Sequence, residues 1–157
     1  MPPALLYDIS GIDLNKVVYD QEAIRQMNPQ RGDMEHLNGI VFADGSAGRL
    51  MGFKDVRADE FWVPGHIPGR PLLPGVIMIE AAAQLASFYM RKCQKWEGFV
   101  GFGSVESCKF RSPVSPGCRM YLIGQKIWER HRRTCCRVQG VVNGQVAFEC
   151  EIVGMLM

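Results

Sequence analysis

Apolar and polar positions change their rhythm several times along the chain, and each change marks an element. Residues 1–20 carry scattered apolar side chains with no helical or strand period, which predicts an extended N-terminal segment. Asp20 to Met27 reads as a short helix, capped by Asp20 and stopped by Asn28-Pro29. Gly39 to Ala43 and Arg49 to Val56 read as two strands joined by a turn at Asp44-Gly45. Val63 to Gly75 is dense in Pro and Gly and predicts a loop. From roughly Pro74 to Lys92 the spacing predicts the one long helix, with Arg91 and Lys92 at the negative end of its dipole. Its body, Val76 to Ala86, is apolar on nearly every face, so the helix is expected inside the protein. Gly98 to Phe110 and Arg119 to Trp128 then alternate loosely as strands. Thr134 to Val142 and Val146 to Val153 form a hairpin around Asn143-Gly144. Helix, two strands, buried helix and four strands fit an α+β domain in which an antiparallel sheet wraps one apolar helix. The whole of 1–157 is read as one such domain, with 1–20 as an N-terminal extension.

Composition narrows the class. The chain is 47% apolar and 22% charged, ordinary for a soluble globular protein. A net charge of +2 argues neither for nor against a nucleic-acid partner, but no basic run interleaves with aromatics, which sets nucleic acid aside. The six cysteines show no CxxC spacing and no His at zinc-finger distance, so they are read as reduced core thiols. The N-terminus lacks a basic stretch followed by a long apolar run, so no secretory signal is expected. Leu72 to Met90 approaches membrane length but contains Pro74, Gly75, Glu80 and Gln84, which favours a buried helix over a span. A cytoplasmic location is expected.

The chemistry concentrates in Gly65 to Gln84. Glu80 interrupts an apolar helix surface, with Gln84 one turn on along the same face. A carboxyl buried there is expected to hold its proton more tightly, as suits a general acid. His66 lies on a loop braced by Gly65, Pro68 and Gly69 and is a candidate general base. The helix start at Gly75 and Val76 offers free backbone N–H groups for a carbonyl oxygen that becomes enolate-like. Taken alone, these residues also admit a plainer reading, in which His66 stiffens a loop and Glu80 is a compensated core carboxyl. His36 reads as a surface or turn histidine and His131 as part of a solvated turn. Trp62 and Trp96 read as packing residues flanking the motif.

The elements His66, Pro68-Gly69, Pro71, Pro74-Gly75-Val76, Glu80-Ala81 and Ala83-Gln84 resemble the signature of the bacterial beta-hydroxyacyl-acyl-carrier-protein dehydratases. Lys109 to Val114, followed by Pro116-Gly117, is similar to a later segment of that family, and the likeness runs from about Met27 to the C-terminus. The resemblance implies a hot-dog fold and at least a homodimer, often assembled as a trimer of dimers. It also implies that His66 of one subunit faces Glu80 of the other, with an acyl chain in a tunnel between them. Gly75 would supply an oxyanion N–H, Gln84 would orient the carboxyl, and Lys109 and Arg111 would meet the acidic carrier protein. The substrate would be a 3-hydroxyacyl thioester on acyl carrier protein or coenzyme A, with no metal or other cofactor. Glu at position 80 points to the branch that dehydrates without isomerising.

The chain departs from the pattern at Ile67, at Met27 to Met34, and near Val100-Gly101, where the family carries a gating tyrosine. Two rival readings keep the fold. A hot-dog thioesterase would use Glu80 on water, against which the His66 loop argues. A non-catalytic acyl-thioester binder usually carries an additional segment, for which the residues before Gln21 are too few.

Overall fold

Helix α2 (Gly75–Lys92) is the axis on which the other elements are arranged. A computed structural model describes residues 2–157. Pro74 precedes α2 in extended conformation, with its fixed φ entering the first turn, and Arg91 and Lys92 close the last turn. Ile77, Ala81, Leu85, Phe88 and Met90 are buried, as the run of apolar residues requires. Shorter helix α1 (Gln21–Met27) starts where Asp20 accepts from the Ala23 N–H at 2.9 Å, and a single 3-10 turn follows at Gly32–Met34.

The strands are β1 (Gly39–Asp44), β2 (Arg49–Val56), β3 (Val100–Phe110), β4 (Cys118–Arg130), β5 (Arg133–Val142) and β6 (Gln145–Leu156). They form one antiparallel sheet in the order β1-β2-β4-β5-β6-β3. Each expected strand is present: β2 keeps its expected bounds, β3 starts two residues later, at Val100, and the other four are longer by one to four residues. The β5–β6 turn places Asn143 and Gly144 at φ 51° and 77°, the left-handed pair that a two-residue hairpin needs. One sheet face wraps α2, and the strands leave room for it. A Cβ on Gly154 would lie 2.4 Å from the sulfur of Met90, so the bare glycine makes room for the end of that side chain between helix and sheet.

The other sheet face is also covered. Leu5, Leu6, Ile9, Ile12 and Leu14 pack with Tyr7 over Val41, Met51, Phe53 and Ile123. The Tyr7 hydroxyl donates to the Leu50 carbonyl at 2.7 Å. Buried Gln139 accepts from the Leu6 N–H and donates to the Ala4 carbonyl. The N-terminal segment thus has neither long helix nor strand, yet it is fastened across the sheet, which explains why β5 is apolar at adjacent positions. Cys135 and Cys136 lie on β5 and both are buried; all six cysteines are free, and burial pushes the Cys136 and Cys150 thiols up to about 12. They behave as small core hydrophobes. Among the described residues no helix is long and apolar enough to cross a membrane.

Candidate active site

The loop before α2 holds His66 by both ends. Its backbone N–H donates to the Trp62 carbonyl at 2.8 Å, and its ring Nδ1 lies 2.7 Å from the Leu72 carbonyl oxygen. A carbonyl only accepts, so Nδ1 carries a proton, and in the neutral ring the lone pair is on Nε2. The next residue, Ile67, sits at φ 57°, a left-handed conformation that a β-branched side chain rarely adopts. That strain is held by the surrounding turn, in which the Arg70 N–H donates to the Ile67 carbonyl.

His66 lines an open recess of about 610 Å3 with Leu72, Gly75, Val76, Phe110 and Arg111. Among the described residues the N–H groups of Gly75 and Val76 have no hydrogen-bond acceptor, as expected in a first helical turn. Phe110 lies against Gly75 so closely that a Cβ there would come within 2.8 Å of its ring. The recess therefore brings together a basic ring nitrogen and free backbone donors. Arg111 lies at the same recess, but its Nε is engaged by Glu149 at 2.7 Å. Lys109 is exposed one turn of the pleat away, in register with Glu149.

Glu80 opens onto a different cleft, of about 180 Å3, with Gln30, Ala83, Ser87, Met90 and Phe102 among its walls. It is half-buried, not enclosed as the apolar helix pattern suggests, because the cleft exposes its side of α2. Gln84 is buried and fixes it: Nε2 donates to Glu80 Oε1 at 3.0 Å and to the Met34 carbonyl at 2.7 Å. Gln84 Oε1 accepts the His36 backbone N–H at 2.9 Å, so the amide can face only one way round. Asn28, from the end of α1, donates to the Gln84 carbonyl at 2.9 Å. Val100 and Gly101, where the resembled family has a gating tyrosine, line this cleft between exposed Phe99 and Phe102. Among the described residues, the recess lined by His66 and the cleft lined by Glu80 have no lining residue in common.

The expectation for His36 is overturned. It is 1% exposed and lies under a buried ion pair, with its Nδ1 3.1 Å from Lys54 Nζ, which binds Glu60 Oε1 at 2.6 Å. Burial and the neighbouring ammonium hold its pKa down at about 4. Burial also lowers Lys54, despite the support of Glu60. For Glu60 burial acts upward, but the Lys54 and Arg57 N–H hydrogen bonds outweigh it and hold the carboxyl below its usual range. A signal for this cluster exists in the sequence: Lys54 is in phase with Leu50 and Val56 on the helix-facing side of β2, where a lysine requires an acid. His131 does lie in an exposed turn, Trp62 is packed into the core, and Trp96 packs against its edge.

Comparison with known proteins identifies the family and the fold. Residues 28–151 match the family model described as a FabA-like domain. A 3-hydroxyacyl-[acyl-carrier-protein] dehydratase FabZ of Brucella melitensis is 34% identical over 140 residues, covering 87% of this chain and 88% of the relative. Its counterpart from Paramagnetospirillum magneticum is 36% identical over 154 residues, covering 94% and 92%. Among solved structures, the dehydratase heterocomplex ApeI:P from Xenorhabdus doucetiae superposes with a TM-score of 0.71 at 14% identity, over 85% of this chain and 90% of that one. Cj0977 from Campylobacter jejuni does so with a TM-score of 0.65 at 15% identity, over 85% and 95%. The helix wrapped by a six-stranded antiparallel sheet is the hot-dog fold, and the chain belongs to the FabA-like family.

Proposed function

We propose that the protein is a 3-hydroxyacyl thioester dehydratase that forms trans-2-enoyl thioesters in acyl-chain biosynthesis, with His66 as base and Glu80 as acid. The observation that carries this reading is the fixed His66 tautomer, which leaves Nε2 able to accept a proton beside unused helix N–H donors. His66 Nε2 removes a proton from C2, and the electron pair passes to the thioester carbonyl oxygen, held by the Gly75 and Val76 N–H groups. The Glu80 carboxyl then gives its proton to the C3 hydroxyl, which leaves as water as the C2–C3 double bond forms. Gln84 occupies Glu80 Oε1, so Oε2 is the oxygen presented to substrate. Return of the His66 proton to Glu80 through solvent resets the pair. The FabZ relatives, matched over about nine-tenths of their length, support the same reaction.

A single copy holds the two groups in separate clefts, so we assign the working site to a homodimer in which His66 of one copy meets Glu80 of the other. The open edge of the sheet supports this: β3 ends the strand order and exposes Phe102, Val105 and Phe110. A trimer of dimers would leave such a two-fold site unchanged. Lys109 and Arg111, near the His66 recess, suit an acidic carrier protein. Free, buried thiols fit a reducing, cytoplasmic setting.

The test is enoyl-thioester absorbance across a series of chain lengths. Reversible hydration that persists with a chelator present is the expected outcome. Release of free thiol without hydration would replace this reading with a thioesterase.

A further inference from the structure

The cleft that holds Glu80 does not end in apolar side chains. Along α2 its wall continues through Ala83 and Ser87, and Phe99 and Val100 also line a second, adjoining recess of about 210 Å3. Pro29, Ser87, Phe99 and Val100 are common to both, and the second recess is bordered by Arg25, Arg31 and Arg91. From position 80 to position 91 is roughly 16 Å of helix, about three turns, so both residues lie on the same side of α2.

The three guanidinium groups are not equivalent. Arg25 is committed to Glu35, through Nε at 2.7 Å and Nη2 at 3.0 Å. Arg31 is held by neutral carbonyls: Nη1 donates to Asn28 at 2.8 Å and Gln30 at 2.7 Å, and Nη2 to Arg25 at 2.9 Å. Arg91 donates through Nη1 to the Gly98 carbonyl, and its buried Nε has no acceptor among the described residues. Among the described residues neither Arg31 nor Arg91 has a carboxylate partner. Two guanidinium groups are thus oriented by backbone oxygens, face no carboxylate among the described residues, and border a recess that adjoins the Glu80 cleft. A buried N–H without an acceptor is costly, and a group that completes it is correspondingly favoured. Gln30 Oε1, also at the cleft wall, is buried and has no donor among the described residues, so the polarity extends toward Glu80.

We propose that this cleft selects acyl chains of medium length ending in a carboxylate, with Arg91 and Arg31 binding that terminus. The proposal rests on the dehydratase reading for the identity of the chain's other end. An acyl group ending in methyl would strip water from the same guanidinium groups and replace it with nothing, so the arginines discriminate in both directions.

The test is calorimetric titration with two saturated medium-chain acyl-coenzyme A thioesters, one ending in methyl and one in carboxylate. Neither can be dehydrated, so binding is read apart from turnover. The expected result is that the wild-type protein binds the carboxylate-ended thioester about ten- to a hundredfold more tightly. Arg91→Met should bring that ratio close to one, Arg31→Gln should reduce it, and Arg91→Lys should keep part of it. Reading the ratio within each variant removes any loss of folded protein from the result. A wild-type ratio near one would overturn the proposal. So would arginine variants that weaken both thioesters alike, because that would place the coenzyme phosphates, not the acyl end, on the arginines. Enoyl hydration measured alongside separates the two claims: carboxylate preference without hydration would sink the dehydratase reading alone, and hydration without preference would sink this one alone.

Discussion

His66 and His36 both border the machinery of α2, and they hold opposite tautomers. At His66 a carbonyl takes the Nδ1 proton, and the Nε2 lone pair belongs to an open recess. At His36 the Lys54 ammonium can only donate, so Nδ1 accepts and the proton sits on Nε2, which is buried with no acceptor among the described residues. One ring is prepared to receive a proton from a ligand; the other is sealed beneath an ion pair. The comparison separates chemistry from support. Lys54, Glu60 and His36 form the more elaborate cluster, yet none of them lines the clefts of His66 or Glu80. Their connection to the site is mechanical: the His36 backbone N–H fixes Gln84, and Gln84 fixes Glu80.

The contrast sharpens most under substitution of the reacting groups. His66→Ala and Glu80→Gln should each lower enoyl-thioester turnover about a hundred- to ten-thousandfold while leaving thermal unfolding close to wild type. Near-normal turnover in Glu80→Gln would remove its acid role. Lys54→Met should do the reverse and cost stability, about 3–5 kcal/mol in urea unfolding, because it strands the Glu60 carboxylate in the core. Adding Glu60→Gln should restore part of that loss, and no restoration would mean the ion pair is not the reason for it.

A smaller effect comes from His36 alone. Its usual value of 6.5 applies to the unfolded chain, and the folded value is about 4. Between those values the unfolded chain binds more protons, so the contribution is full above 6.5 and disappears as pH falls toward 4. The loss amounts to about 3 kcal/mol. In His36→Gln the unfolding midpoint should fall less steeply across that window than in the wild type. Equal slopes would show that other groups govern acid stability.

What the sequence discloses follows the same division. Helix α2 is legible because a long apolar run begins at Pro74-Gly75 and ends in Arg91-Lys92, a purely local signal. The β5–β6 hairpin is legible from Asn143-Gly144 for the same reason. His66, Glu80 and Gln84 stand out because one continuous segment carries them, although the half-buried state of Glu80 depends on a cleft walled by Gln30 and Phe102 from distant elements. The location of His36 is not local at all. Its partners arrive from β2 and from the loop after it, and only the alternation of β2 hints that Lys54 turns inward. The N-terminal segment is similar: scattered apolar residues show no period because a strap needs none, only Tyr7 and its neighbours meeting the sheet.

The central claim, that two copies complete one site, is tested most directly by mixing two inactive proteins. His66→Ala and Glu80→Ala homodimers are unfolded together and refolded, and the hydration rate of the mixture is measured. Random pairing makes about half of the dimers mixed, and in each of those one of the two sites inherits an intact His66 and an intact Glu80. The account predicts recovery of about a quarter of wild-type activity. A mixture that remains inactive while mass measurement confirms the mixed dimers would contradict it, since sites built within one chain always retain one lesion.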